Sequence, residues 1–267
     1  MTRKADRPHV TICLTTIHRR LEGVAETIRS LLEQDYPEFD VRLYVSREPF
    51  LLDEGVRGVA PEGLRALERG GRFRLLYAQN VGSYRKFAPF LAEQARRPAL
   101  FATADDDTLY PPDWLARLVE AHDRHRCVVC YRGHFILRRR GAFTDYRRWM
   151  THGVARNPDL MVLPTGKDGV LYDTRYFHPR AVDTAAALRI APTADDLWIK
   201  WHTAALGVPV YTLNTRYATD TLETRPVGDG LYERFNRGGA NDATVAALSD
   251  YARAVFGFDR LAGDAPA

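Results

Sequence analysis

Cysteine is scarce in this chain, with Cys13, Cys127 and Cys130 the only three in 267 residues. Three thiols do not make a disulfide framework. No stretch approaches the ~20 apolar residues of a membrane span. The opening MTRKADRPHV passes from a polar stretch straight into a strand-like run, with no apolar leader. Internal repeats and low-complexity tracts are absent, so neither a solenoid nor a disordered tail is indicated. Charge of one sign is not in large excess either, since 38 Lys and Arg stand against 34 Asp and Glu for a formal net charge of +4. The expectation from these absences is a single globular protein of the cytoplasm.

Much of the basic character is local. Arg138, Arg139 and Arg140 form one group and Arg147 and Arg148 another, and the sequence pI is about 9.0. Such groups favour anionic partners: a nucleotide, a phosphate, an acidic polymer or a lipid surface. Peripheral contact with the inner face of a membrane is therefore among the expectations. The CVVC of residues 127–130 lies in a strand-like run, where residues three apart point to opposite faces, so two packed thiols are expected rather than a metal or redox pair. His122 and His125 fall on one helical face, but no third ligand stands near them.

The order of elements is regular in the first half. HVTICLTT, VRLYVS, RFRLLYA and ALFATA read as strands. Between them LEGVAETIRSLLEQ, PEGLRALERG and SYRKFAPFLAEQARR read as helices, the last with Pro89 near its first turns. Alternation of this kind predicts a mostly parallel sheet with crossover helices. The second half is more broken, with strands at CVVCYRG and GVPVYTL and helices at TADDLWIKWHTAALG and DATVAALSDYARAVFG. RPVGDGLYERFNRGGAND reads as a loop, with Asn241 or Asp242 capping the last helix and Arg234 or Arg237 able to close over phosphate.

What the chain does have is TADDDTLYPPDWL, three adjacent carboxylates at the end of the fourth apolar strand. A turn and a helix start account for Pro111, Pro112 and Asp113. They do not account for Asp105, Asp106 and Asp107, which raise one another's pKa unless a cation neutralises them. In open parallel sheets, ligands bind beyond the carboxyl ends of the strands. A hard divalent cation, Mn²⁺ or Mg²⁺, sharing the phosphates of a nucleotide fits that position.

ALFATADDDTLYPPDWLARLVEAH resembles the metal-binding Asp-x-Asp region of GT-A glycosyltransferases, in particular the inverting family 2. VTICLTTIHRRLEGVAETIRSLLEQDYPEFDVRLYVS is similar to that family's first nucleotide-binding unit, NVGSYRKFAPFL to the segment after its third strand, and TADDLWIKW to the helix start that carries its base. The likeness runs over about residues 8 to 215. Two departures are visible: TTIHRR stands where many members have Pro-Thr-Tyr-Asn, and SREPF follows strand two without an acidic residue at once, leaving Ser46 or Glu48 to meet the base.

The resemblance implies a single α/β GT-A domain over 1–267, with a mostly parallel central sheet flanked by helices and a smaller acceptor side. Residues 8–107 form its nucleotide-binding half, 108–215 its acceptor and catalytic half, and 216–267 a C-terminal loop and helix. It assigns Asp107, with Asp105, to the metal, and Asp105 also to the ribose side of the donor, with Asp106 open to either part. Thr15, Thr16, Arg19, Ser46, Arg85 and Lys86 fall on the donor, and Gly169 near the donor sugar. Asp196 becomes the general base and Asp195 its orienter. Thr193 and Asp196 also have capping-box spacing, so a plain helix start is the competing reading. The implied reaction moves a sugar from a nucleotide sugar, expected to be a UDP-sugar, to a hydroxyl of a glycan or lipid-linked acceptor in surface polysaccharide synthesis. Two rivals are a haloacid dehalogenase-type phosphatase using DDDT and a non-catalytic binder of nucleic acid or acidic glycan. The first has its threonine one residue early and its triplet after the fourth strand, not the first. The second leaves the acidic clusters unexplained, since they repel polyanions, so no nucleic-acid partner is expected.

Overall fold

The computed structural model describes residues 7–94, 97–215, 222–223, 235 and 238–264. Its strands are β1 (Val10–Thr15), β2 (Phe39–Val45), β3 (Phe73–Tyr77), β4 (Leu100–Ala104), β5 (Val128–Phe135), β6 (Arg138–Arg139), β7 (Ala142–Phe143), β8 (Val162–Pro164), β9 (Val170–Asp173) and β10 (Val210–Asn214). Its helices are α1 (Val24–Leu32), α2 (Glu62–Glu68), α3 (Ala88–Glu93), α4 (Trp114–His125), α5 (Tyr146–Thr151), α6 (Thr184–Ile190), α7 (Asp195–Ala205) and α8 (Ala240–Phe256). The main sheet runs β10-β5-β9-β4-β1-β2-β3, with β8 also paired to β5. The β1, β2, β3 and β4 pairings are parallel, as is β5 with β10, while β9 lies antiparallel between β4 and β5. The expected mostly parallel sheet is present. The inserted β9 is a feature that alternation of strand and helix does not announce.

Strands buried on both faces read as continuous apolar runs, and β1 shows why. Ile12 and Leu14 enter the core beneath α1 and α4, with Ile28, Leu31, Trp114 and Leu118. Cys13 points to the other core, with Phe87, Phe101, Trp198 and Leu248 from the side of α3, α7 and α8. Cys127 and Cys130 are buried free thiols, as expected. His122 is buried and its Nε2 meets the Tyr176 hydroxyl at 2.9 Å, while the His125 ring stacks on Tyr211 at 4.0 Å.

The helix expected over SYRKFAPFLAEQARR is split. A 3-10 turn spans Gly82–Lys86, Phe87 leaves helical geometry at φ −139°, and α3 begins with Pro89 in its first turn. Proline tolerates that position but not a helix interior, where its ring meets the preceding turn. The break has a consequence for function, because Arg85 and Lys86 leave a tight turn at the carboxyl edge of the sheet instead of lying on a long helix face.

Candidate active site

The register sets the site. Leu14 pairs with Ala104 across β1 and β4, so the chain leaves both strands side by side at Thr15, Thr16 and Asp105, Asp106. Thr16 Oγ1 donates to Asp106 Oδ2 at 2.5 Å, and Thr27 Oγ1 donates to the Asp106 carbonyl at 3.1 Å. The Asp105 amide donates to the Tyr110 hydroxyl at 2.8 Å, which fixes the turn that follows. A cavity of about 470 Å³ opens here, and its wall brings together Thr15, Thr16, Arg85, Lys86, the three aspartates, Asp195 and Asp196.

Among the described residues two cations pair with the triplet, and Lys167 adds a further positive charge that acts on Asp107. Arg20 Nη1 lies 2.9 Å from Asp106 Oδ1 and 3.7 Å from Asp107 Oδ2. Lys86 Nζ lies 3.8 Å from Asp105 Oδ1 and 3.0 Å from Asp195 Oδ2. Burial works against the Lys86 charge, yet Asp195, Asp105 and Asp196 together raise its pKa above the ordinary lysine value. Asp107 is left under-compensated: burial first, then the charges of Asp105 and Asp106, push its carboxyl up to about 6. Asp106 is also raised, chiefly by burial, against the pull of Arg20.

Among the described residues no group of three or more His, Cys, Asp or Glu side chains is placed to hold a metal ion unaided. Asp105 and Asp107 are nonetheless hard oxygen donors, and among the described residues the pull of Arg20 and Lys167 on Asp107 does not offset burial and its two acidic neighbours. A divalent ion that takes one or two carboxylates and completes its shell with substrate phosphates fits such a pair.

At the opposite wall, Asp195 and Asp196 open α7. The N-cap position of this helix is Ala194, whose methyl side chain cannot cap it. Asp196 Oδ2 accepts from the Gly166 amide, at 2.9 Å in the loop before β9. Gly166 has no side chain for a reason. A Cβ there would stand 2.8 Å from Lys86 Nζ and 3.1 Å from Asp196 Oδ1. Burial first, then the neighbouring Asp195, push Asp196 up to about 7, while Lys86 and the Gly166 amide pull the other way.

Five expected residues sit differently. Gly169 does not line the cavity; at φ +102° its absent Cβ would lie 2.4 Å from the Trp114 ring, so this glycine makes room for Trp114. Arg19 is exposed and outside the cavity wall, where its neighbour Arg20 takes the inward position. Ser46 is buried, and its hydroxyl accepts from the Glu48 amide at 3.1 Å. Arg85 borders the cavity but is committed elsewhere. Its guanidinium meets Asp53 Oδ2 at 2.8 Å, Thr15 Oγ1 at 3.0 Å and the Thr16 carbonyl at 3.0 Å. It braces the ends of β1 and the loop after β2. Asp242, expected as a cap of α8, instead accepts from the Tyr146 amide of α5 at 2.6 Å, and Gly239 holds the cap position. Arg234 and Arg237 lie outside the described residues.

Sequence reasoning missed Arg20, Asp53, Gly166 and Tyr146, and took Asn241 only as a helix cap, yet all five are on the cavity wall. For Arg20 the missing signal is the turn over His18–Arg20, which decides which of two adjacent arginines faces in.

An open sheet with this acidic edge, faced by an acidic helix start, has known relatives. The family model described as glycosyl transferase family 2 matches residues 11–174. The chain belongs to glycosyl transferase family 2. Its architecture is the GT-A fold, shared with the crystal structure of S. aureus TarS 1–349 at TM-score 0.50 and 15% identity, over 92% of this chain and 72% of that one. The same TarS fragment in complex with UDP-GlcNAc matches at TM-score 0.52 and 15% identity, over 94% and 74%. A comparison with curated protein sequences gave no match. The phosphatase reading gains nothing from these relatives. Among the described residues no helix is long and apolar enough to cross a membrane.

Proposed function

We propose that the protein is a metal-dependent, inverting glycosyltransferase that moves a sugar from a nucleotide sugar to an acceptor hydroxyl. The observation that carries the reading is the meeting, in one cavity, of the under-compensated Asp107 with the Lys86–Asp195–Asp196 cluster. Asp105 and Asp107 are the residues to hold Mn²⁺ or Mg²⁺. When bound, the ion supplies positive charge that stabilises the departing nucleoside diphosphate.

The chain's own groups do the rest. Lys86 ties the donor wall to the acceptor wall through Asp105 and Asp195. Asp195 is engaged by Lys86, which leaves Asp196 as the base. The Gly166 amide fixes Asp196 Oδ2, so the carboxylate is oriented before the acceptor arrives. Asp196 takes the proton of the acceptor hydroxyl as its oxygen forms a bond to the anomeric carbon. The bond to the nucleoside diphosphate breaks on the opposite face, which inverts the centre. A base near neutrality suits this step. A glycan or lipid-linked acceptor, and a place in surface polysaccharide synthesis, follow from the family resemblance. The TarS complex makes UDP-GlcNAc the first donor to try.

Calorimetry with UDP and UDP-GlcNAc, with and without Mn²⁺, tests the donor site. Binding should require the metal, and Asp107→Ala should lose it while keeping the parent's melting temperature, because removing one of three crowded carboxylates relieves repulsion. Mn²⁺-independent binding of equal strength in parent and variant would remove the metal from the mechanism.

A further inference from the structure

Arg20 is bound on one side only. Of its guanidinium nitrogens, Nη1 donates to Asp106, and neither Nε nor Nη2 makes a hydrogen bond among the described residues. Yet the side chain is only 18% exposed and stands in the cavity wall beside the triplet. A guanidinium has five donors in a rigid fork, and that fork matches a phosphate through two parallel hydrogen bonds. The other cations of the wall are spent differently. Arg85 braces Asp53 and the end of β1, Lys86 is shared between Asp195 and Asp105, and Lys167 stands 3.8 Å from Asp168 Oδ1.

We infer, resting on the donor site proposed above, that Arg20 is both a counter-ion of the acidic triplet and the residue that binds the donor's phosphates. Its charge stands 3.7 Å from Asp107 and competes with a divalent ion for that carboxylate. When the ion takes Asp107, the guanidinium stays anchored on Asp106 and turns its free edge to the donor's diphosphate. Thr16, through its own bond to Asp106 Oδ2, keeps that anchor in place. Metal and nucleotide then bind with positive coupling: the ion frees Arg20 from Asp107, and the diphosphate gives Arg20 a new partner.

The test needs no acceptor and no turnover. Mn²⁺ alone is titrated into parent, Arg20→Gln and Arg20→Lys, and UDP is then titrated at saturating Mn²⁺. Glutamine still donates to Asp106 but has no charge, so Mn²⁺ should bind about fivefold more tightly without nucleotide, the scale of one part-exposed ion pair. The same variant should bind UDP about tenfold more weakly, the scale of a charge-assisted hydrogen bond. Lysine keeps the charge but not the fork, so it should leave Mn²⁺ affinity at the parent value and still weaken UDP. Mn²⁺ affinity unchanged in Arg20→Gln, or UDP affinity unchanged in Arg20→Lys, overturns the role of Arg20. If the parent meanwhile binds Mn²⁺ and UDP and Asp107→Ala does not, the donor site stands and this inference alone fails. A parent that binds no Mn²⁺ overturns both. Should Arg20→Gln fail to fold, the lysine variant decides.

Discussion

Asp53 and Asp196 stand on the wall of the same cavity and are held in opposite ways. Asp53 receives the His18 amide at 3.0 Å, the Gly55 amide at 3.1 Å, Asn80 Nδ2 at 3.2 Å and Arg85 Nη1 at 2.8 Å. Although burial alone would raise it, those donors, the His18 amide and Arg85 foremost, hold its carboxyl below the usual range. Asp196 receives one backbone amide, stands next to Asp195, and is pushed up to about 7. The number of donors separates the two roles. A carboxylate whose lone pairs are filled by its own chain is a brace; one left short beside a like charge is available for a proton or a ligand.

The sharpest way to break that contrast is Asp196→Asn. If Asp196 is the base, turnover should fall by roughly 10² to 10⁴ with donor and metal still bound. Hydrolysis of the donor by water is the readout until the acceptor is known. In the parent, the rate should rise as pH passes through about 7, the value of Asp196, because only the ionised form accepts a proton. Stability moves the other way. The folded pKa is raised above the unfolded value, so the contribution is present at low pH and lost as pH rises through about 7. Asp196→Asn should therefore melt no lower than the parent at pH 8. Turnover within a few fold of the parent would return Asp196 to a structural part and move the base to Asp195.

Asp53→Ala should do the reverse. It leaves the Arg85 guanidinium, 1% exposed, without its partner, and breaking a buried pair from one side costs about 3–5 kcal/mol. Urea unfolding should show the loss. Because Asp53 is a brace by this reading, Mn²⁺ affinity in the folded variant should change little. A variant as stable as the parent that no longer binds donor would reverse the assignments of Asp53 and Asp196.

The parallel half of the sheet was legible because each of its strands carries its own signal: buried apolar residues in a row, bounded by helices of 3.6 periodicity. The place of Asp105, Asp106 and Asp107 at the carboxyl edge of the sheet was legible for a related reason, since an apolar strand leaves whatever follows it at that edge. Asp53 and Arg20 were not. Both lie in irregular chain, where no period says which side faces in, and what defines them is contact with residues 35 and 86 positions away, His18 and Asp106. Gly169 misled because a glycine beside a strand signals close approach without saying to what, and the approach is to Trp114. The β9 insertion and the α5–α8 bond from Tyr146 to Asp242 are tertiary facts with no local signature.

The same contrast recurs, with the sign of charge reversed, in two buried lysines, and it gives the smallest effect. Lys86 has carboxylates on both sides. Lys200, one turn beyond Asp196 on α7, is fully buried and its Nζ makes no hydrogen bond among the described residues. Burial lowers its pKa to about 7, against smaller opposing influences from Cys130, Asp159 and Cys127. The unfolded chain binds this proton up to about 10.5, so between pH 10.5 and about 7 the unfolded state holds more protons than the folded one. Stability should then rise with pH across that window and be lowest at and below about 7. Lys200→Met keeps the length and removes the linkage. It should stabilise the protein by about 1–3 kcal/mol at pH 7, and the gain should shrink towards zero by pH 10. Urea midpoints at the two pH values measure it. A methionine variant that is weaker at pH 7, or equally stabilised at both, would mean that Lys200 is charged and partnered after all, and that counting donors does not tell a brace from a burden.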